Sequence, residues 1–194
     1  KMHEEGLSLG RSGKQVIWGL TPTGALLATD PNSENFKVDF YEVGRVKPVT
    51  IEHSLDVQAV RITALKHGWT EWQSSRKVHR MAQEDRATWL QVPDAVAKSP
   101  EGFQVAFEVE RTIKTPKRYD AILSNFGQMM QDGTIQKVFY ISPEKICPRI
   151  ERLFRSIKKI TRYDGNEKRV MATPEGLFKR FTFITYEQWE KQEW

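Results

Sequence analysis

Three acidic residues, Asp94, Glu108 and Glu110, are the part of this sequence best suited to chemistry. Asp94 follows an apolar stretch at 87–92, whose composition predicts a β-strand. Glu108 and Glu110 share one face of a second predicted strand at 103–110, because alternate strand residues point the same way. If the two strands pair through the short turn between them, Asp94 falls beside Glu108. Clustered carboxylates are costly to bury without a cation, so the pattern predicts a site for Mg²⁺ or Mn²⁺.

Helical patterns flank the two acidic strands and would position them. The stretch 50–66 places apolar residues on one helical stripe. The residues of that stripe are Leu55, Ala59, Ile62 and Leu65. Thr115 and Pro116 are typical of a helix N-terminus, and a buried strand at 136–141 follows that helix. The order of helices and strands predicts an α/β domain, a mixed sheet with helices on both faces.

The chain divides by composition into three parts. Residues 1–30 are expected to be the remnant of a winged-helix-like DNA-binding module, with the last turn of a helix at 1–6 and a wing hairpin after it. The alternative is a β-hairpin that packs on the main domain. The polar stretch 31–48 is the predicted linker, and 49–194 is the predicted main domain. Because the first residue is Lys, we expect the chain to be a fragment of a longer protein.

Charge and cysteine content restrict the class of function. The 194 residues carry a formal net charge of +5 and a pI near 9.3, which favours an acidic partner, with DNA the first candidate. The single cysteine, Cys147, excludes a disulfide framework and a cysteine-based zinc site, and it fits a reducing, cytoplasmic location. No apolar run approaches membrane-spanning length, so membrane insertion is not expected.

The acidic residues carry a resemblance to a known superfamily. Pro93-Asp94 followed by Glu108-Val109-Glu110 resembles the signature of the PD-(D/E)xK nucleases, the restriction-endonuclease fold. The resemblance implies the element order helix, three strands, helix, strand. The last signature position is usually Lys and is Glu110 here, so a lysine would have to reach the site from Lys114 or Lys117.

A narrower resemblance covers about residues 15–143. A Trp-x-Leu-Thr-Pro-x-Gly stretch at 18–24, His53 near a helix start and Lys117-Arg118-Tyr119 accompany the acidic motifs. Together they are similar to MOBC-class conjugative relaxases, the MobC-like and replication-relaxation family. This resemblance implies a DNA relaxase or nickase that cleaves one strand at a plasmid origin of transfer. It also implies an accessory mobilisation protein, a type IV coupling protein and a type IV secretion system as partners.

The chemistry of phosphodiester cleavage assigns roles to the acidic residues. Asp94 and Glu108 are expected to bind Mg²⁺ or Mn²⁺ directly, with the backbone carbonyl of Val109 as a possible third ligand. Glu110 is expected to act as a general base on a water molecule or to bind a second metal ion.

The basic residues and Tyr119 complete the predicted site. Lys117 is expected to stabilise charge on the phosphate, with Arg118 as its substitute and Lys114 as a rival. Tyr119 has two interpretations: a nucleophile that leaves a covalent protein–DNA adduct, or a side chain that packs, stacks on a base or orients Lys117. The packing interpretation is favoured, because a tyrosine on a helix is more often structural.

Two other functions remain open at this point. The first is a restriction- or repair-type endonuclease of the same fold, which would cut both strands or act with a partner subunit. The second is a non-enzymatic DNA-binding regulator of replication or mobilisation, in which the acidic cluster is merely structural. The regulator predicts DNA binding that is unaffected by EDTA and by Asp94→Ala.

Overall fold

A computed structural model describes residues 2–8, 14–27, 48–86, 88–164 and 167–192. The chain divides into two compact units, Lys1–Leu55 and Asp56–Trp194. The predicted linker at 31–48 lies outside the described residues, except that its last residue begins a helix. The two units are described in turn.

The first unit contains an antiparallel hairpin and a short helix. Strand β1 (Met2–Ser8) pairs with β2 (Lys14–Leu20), and α1 (Pro22–Leu27) follows. The hydroxyl of Thr21 accepts a hydrogen bond from the backbone of Gly24 at 3.0 Å, which caps α1. The predicted helix end at 1–6 is wrong over its described part, because residues 2–6 belong to β1. That the hairpin is the wing of a winged helix stays a prediction.

The elements that follow begin with a helix that crosses the boundary between the units. In chain order they are α2 (Pro48–Lys66), β3 (Thr70–Ser74), α3 (Ser75–Glu84), β4 (Ala95–Lys98), β5 (Gln104–Val109), α4 (Pro116–Gln131), β6 (Lys137–Ser142), α5 (Cys147–Ser156), β7 (Lys159–Asp164), β8 (Glu167–Ala172), α6 (Glu175–Phe178), β9 (Phe181–Thr185) and α7 (Tyr186–Lys191).

The central sheet has five strands in the order β3-β4-β5-β6-β9. The first three are antiparallel neighbours, whereas β5, β6 and β9 run parallel. The turn between β4 and β5 forms as predicted, with Gly102 at φ +88°, a conformation that favours glycine. Parallel strands need a crossover, and α4 supplies it between β5 and β6. The predicted mixed α/β architecture is confirmed.

Strand β5 lies in the middle of this sheet and is buried on both faces. Val105, Phe107 and Val109 pack in one apolar cluster with Trp69, as the alternation of the strand predicts. Ala106 belongs to the other cluster, which α4 supplies with Phe126 and Met129 among others. The aromatic rings of Trp69 and Phe107 meet edge to face at 5.1 Å, a geometry that adds stability beyond area burial. The rigid β5 therefore provides a fixed platform for the residues at its end.

The predicted strand at 87–92 is wrong. The described residues of this stretch form turns and irregular backbone, and the strand begins only at Ala95. Trp89 is buried in the core, and the carbonyl of Leu90 accepts a hydrogen bond from the Asn125 side chain at 3.1 Å. Contacts of this kind bury the apolar side chains and provide hydrogen bonds to the backbone without a neighbouring strand. They therefore override the β-propensity of this stretch.

The predicted apolar stripe of α2 is also wrong. Leu55, Ile62 and Leu65 are exposed, whereas Val60 and Ala64 are buried and pack in the cluster of Trp69. The predicted stripe and the pair Val60 and Ala64 both have helical spacing. The smaller residues of the helix pack inward because the large aromatic rings of the cluster leave little room. None of the helices within the described ranges is long and apolar enough to cross a membrane.

Candidate active site

Asp94 lies immediately before β4 and is held from both directions. Its Oδ2 accepts a hydrogen bond from the backbone N–H of Val109 at 2.8 Å, and its carbonyl accepts one from Ser75 at 2.9 Å. The pairing of Ala95 with Phe107 places Asp94 beside Glu108, as the sequence predicts. The carboxylate of Asp94 is therefore fixed at the C-terminal end of β5.

Glu108 is a buried carboxylate with incomplete compensation. The residue is 6% exposed, and its Oε1 accepts a hydrogen bond from Gln91 at 3.3 Å. Burial and the negative charge of Asp94 raise the pKa of Glu108 to about 8, against the opposing effects of Lys114, Gln91 and Arg118. At neutral pH this group therefore needs either a proton or further positive charge.

Glu110 is buried to the same extent but has a cation of its own. Lys114 Nζ donates directly to Glu110 Oε2, and the backbone of Thr112 donates to Oε1 at 3.4 Å. Burial lowers the pKa of Lys114, while Glu108 and Asp94 act in the opposite direction. The charge of Lys114 is therefore shared between Glu110 and the neighbouring carboxylates.

The expected convergence of three carboxylates is not found. Within the described part of the chain, no three His, Cys, Asp or Glu residues are arranged to hold a metal ion. Asp94 and Glu108 lie together, whereas Glu110 is paired with Lys114. The physical reason is that β5 ends at Val109, so Glu110 already belongs to the connection that carries Lys114.

Among the candidate cations, Lys114 contacts the acidic residues most closely. Lys117 and Arg118 lie in the first turn of α4, and both are exposed. The charge of Arg118 still acts on Glu108, so it lies near enough to contribute. The structure therefore favours Lys114, the rival in the sequence prediction, over Lys117 as the lysine of the site.

Tyr119 has the surroundings of a packing residue. Its side chain is fully buried, and its ring lies 5.1 Å from that of Phe154. The hydroxyl accepts a hydrogen bond from the backbone N–H of Lys114 at 3.0 Å, and burial raises its pKa. These contacts support the packing interpretation, with the difference that Tyr119 orients Lys114 rather than Lys117.

Two residues near the acidic pair were missed by the sequence analysis. Gln91 contacts Glu108 from the irregular stretch that had been predicted as a strand. Tyr140 of β6 is the register partner of Glu108 and is fully buried, and its hydroxyl has no hydrogen-bond partner among the described residues. The sequence indicates Tyr140 by a hydroxyl-bearing side chain within an otherwise apolar, buried strand. No local pattern around Gln91 indicates its contact with Glu108.

An adjacent charge contact secures the connection after β5. Arg111 Nη1 donates to Asp56 Oδ2 at 2.5 Å, and the hydroxyl of Tyr186 donates to the same oxygen at 3.0 Å. These bonds join the connection after β5 to α2, and α2 to α7. The backbone that presents Lys114 is thus restrained at both ends, by Arg111 and by Tyr119.

Comparisons with known proteins give no relative for this chain. No protein-family model, no curated protein and no solved structure matches it. What the site does must therefore be inferred from its own residues.

Proposed function

We propose that this chain is a Mg²⁺- or Mn²⁺-dependent DNA nickase, a relaxase that cleaves one strand at a plasmid origin of transfer. The observation that carries the proposal is the pair of facing carboxylates, half-buried Asp94 and buried Glu108, at the end of the central strand β5. Burial first, and the negative charge of Asp94 second, raise the pKa of Glu108, and a divalent cation is the usual partner that offsets both effects.

The topology supports a restriction-endonuclease-like fold for the second unit. The elements α2, β3, β4, β5, α4 and β6 follow the order helix, three strands, helix, strand. The three strands form an antiparallel meander, and the last strand joins β5 in parallel. The helix α3 is inserted between β3 and β4, which departs from the minimal order.

The described residues include no set of three potential metal ligands, but two carboxylates are enough for an ion that water molecules and a substrate phosphate also bind. Asp94 and Glu108 would hold it through hard carboxylate oxygens, which Mg²⁺ and Mn²⁺ prefer. A bound ion would supply Lewis-acid stabilisation of the phosphate and a water molecule of lowered pKa. Gln91 holds Glu108 by its hydrogen bond, and the backbone of Val109 holds Asp94, so both carboxylates are preorganised.

Lys114 acts as the lysine that the signature requires and that this chain lacks at position 110. Its ammonium group lies against Glu110, and its charge also acts on Glu108 and Asp94. A cation in this position would stabilise negative charge that develops on the phosphate. Glu110 then positions Lys114 instead of acting as a general base or a metal ligand. Because Tyr119 is buried, water is the proposed nucleophile.

The partners remain proposals that depend on the relaxase function. An accessory mobilisation protein and a type IV coupling protein would act with a nickase of this kind at the origin of transfer. The net charge of +5 is consistent with the DNA partner.

A supercoiled-plasmid nicking assay with Mn²⁺ tests the proposal. Asp94→Asn and Glu108→Gln should each reduce the nicking rate by about 100-fold or more, because each removes a ligand charge. The matched controls Asp132→Asn and Glu175→Gln change exposed carboxylates in the same way and should retain the wild-type rate. Equal rates for the site variants and the controls would remove the catalytic assignment.

A second candidate, the non-enzymatic DNA-binding regulator, is favoured by one observation. The ion pair between Lys114 and Glu110 already neutralises part of the acidic cluster without a metal ion. This candidate predicts no nicking by the wild-type chain and DNA binding that is insensitive to EDTA and to Asp94→Ala. Nicking by the wild type, lost in Asp94→Asn, excludes it.

A further inference from the structure

The antiparallel ribbon formed by β7 and β8 has two chemically different faces. Ile160 is buried in the core cluster, close to Gly127 of α4, so this face of β7 packs inward, whereas every residue of β8 is exposed. Arg162 and Arg169 are register partners and share that face. Thr161 joins β7 to α4 through its backbone N–H, which donates to Ser124 at 3.0 Å. The ribbon is thus anchored on the same helix whose N-terminus adjoins the acidic pair.

The outer face of the ribbon combines exposed apolar groups with lysines. Tyr163 is 49% exposed and Val170 is 62% exposed. Tyr163 lies directly opposite Lys168, and Lys159 is on the same face by alternation. Glu167 lies on the other face, where it pairs with Arg169, so the described side chains of the outer face include no carboxylate.

A groove of about 360 Å³ leads from the start of α4 to this ribbon. Pro116 and Asp120 line it on the side of α4, and Lys158 and Lys159 line it at the start of β7. The two lysines outweigh the single charge of Asp120. The groove therefore has a net positive charge and leads from the helix next to the acidic pair to the ribbon.

We propose that the groove and the outer face of the β7–β8 ribbon bind a single strand of DNA. Lys158, Lys159 and Lys168 contact the phosphates, and the ring of Tyr163 stacks on a base. Exposed aromatic rings between cations are the usual platform for single strands, because every base presents a π-face for stacking. The proposal rests on the proposed function for the choice of DNA as the partner, and it adds a strand-binding track outside the acidic site.

Charge removal tests the track by fluorescence anisotropy with a labelled mixed-sequence oligonucleotide of about 20 nucleotides, in EDTA. Lys159→Ala/Lys168→Ala should weaken binding by about tenfold or more and reduce the slope of log Kd against log salt by about 1.4, or 0.7 for each phosphate contact. The control Lys66→Ala/Lys98→Ala removes the same charge from other exposed positions and should change the affinity less than about twofold.

Aromatic stacking is tested at Tyr163. Tyr163→Ala should weaken binding by about fivefold or more, whereas Tyr163→Phe keeps a ring and should stay near the wild-type affinity. Because these side chains are exposed, all of the variants should unfold thermally as the wild type does, by circular dichroism. Failure of the wild type to bind the oligonucleotide, equal losses in ribbon and control variants, or full affinity in Tyr163→Ala would overturn the proposal.

The binding assay in EDTA needs no catalysis, so the two proposals can fail separately. If the wild type does not nick DNA but the ribbon variants lose affinity, the track stands and the nickase does not. If nicking depends on Asp94 and Glu108 while Lys159→Ala/Lys168→Ala binds and nicks like the wild type, the track alone is wrong.

Discussion

Glu108 and Glu110 lie two residues apart, and each is 6% exposed, yet they have opposite electrostatic surroundings. Glu110 accepts a hydrogen bond directly from the ammonium group of Lys114. Glu108 faces another carboxylate, Asp94, and among the described residues it accepts a hydrogen bond from the neutral side chain of Gln91. Glu110 has a cation in direct contact, whereas the charges of Lys114 and Arg118 offset that of Glu108 only in part.

This difference shows that spacing along a strand does not determine what a carboxylate can do. The nearest counter-charge decides it, because a paired carboxylate has less to gain from a metal ion than an unpaired one. Because Asp94 and Glu108 face each other, they are the proposed ligands, and Glu110 with Lys114 is the proposed supporting pair.

Breaking the supporting pair should have the largest effect on stability. Lys114→Met leaves Glu110 buried without its cation, and we expect the free energy of unfolding to fall by about 3–5 kcal/mol. The double variant Lys114→Met/Glu110→Gln should recover most of this loss, because it removes the uncompensated charge. Urea denaturation measures both. A loss that is equal in the single and double variants would contradict the pairing.

The raised pKa of Glu108 should make stability depend on pH. The pKa of Glu108 rises from its ordinary value of 4.5 to about 8 in the folded protein, so the folded state binds more protons between these values. In EDTA, the free energy of unfolding should therefore decline as the pH rises through this window. Glu108→Gln should remove this decline in urea denaturation across the same range. A wild-type profile that is as flat as that of the variant would refute the pKa shift.

A smaller effect is expected at Tyr119, which supports the backbone of Lys114. Tyr119→Phe removes the acceptor of one hydrogen bond, so it should cost about 1 kcal/mol of stability. If the phenol only packs, the variant should nick plasmid DNA within about threefold of the wild-type rate. Loss of nicking, together with a covalent DNA adduct in the wild type, would show that Tyr119 is the nucleophile.

The smallest effect is expected at Gln91, the neutral partner of Glu108. Gln91→Met removes the hydrogen bond to the charged carboxylate, so it should cost about 1 kcal/mol at about pH 9 and less at about pH 5. Free energies of unfolding measured by urea denaturation at the two pH values separate the effect on the charged form of Glu108 from the effect on its protonated form. An equal cost at both would mean that Gln91 acts by packing alone.

Local patterns in the sequence are sufficient to predict that Asp94 and Glu108 lie side by side at the end of β5. The apolar alternation of β5 predicts which residues face the two clusters, and the turn that contains Gly102 predicts that Asp94 meets Glu108. Thr115 and Pro116 correctly predict the start of α4. These features depend on neighbouring residues only.

Features that depend on tertiary contacts could not be predicted in this way. Trp89 and Leu90 resemble a strand but are held by contacts with α4 and the core. Glu110 continues the alternation of β5, although the strand ends one residue earlier. The contact of Gln91 with Glu108 spans 17 residues, and no local pattern indicates it.

Titration of the chain with Mn²⁺ by isothermal titration calorimetry near neutral pH tests the central claim most directly. The wild type and Glu110→Gln should both bind the ion, whereas Asp94→Asn and Glu108→Gln should lose measurable binding. Absence of binding by the wild type, or binding that is lost in Glu110→Gln and retained in Glu108→Gln, would contradict the assignment of Asp94 and Glu108 as the metal ligands.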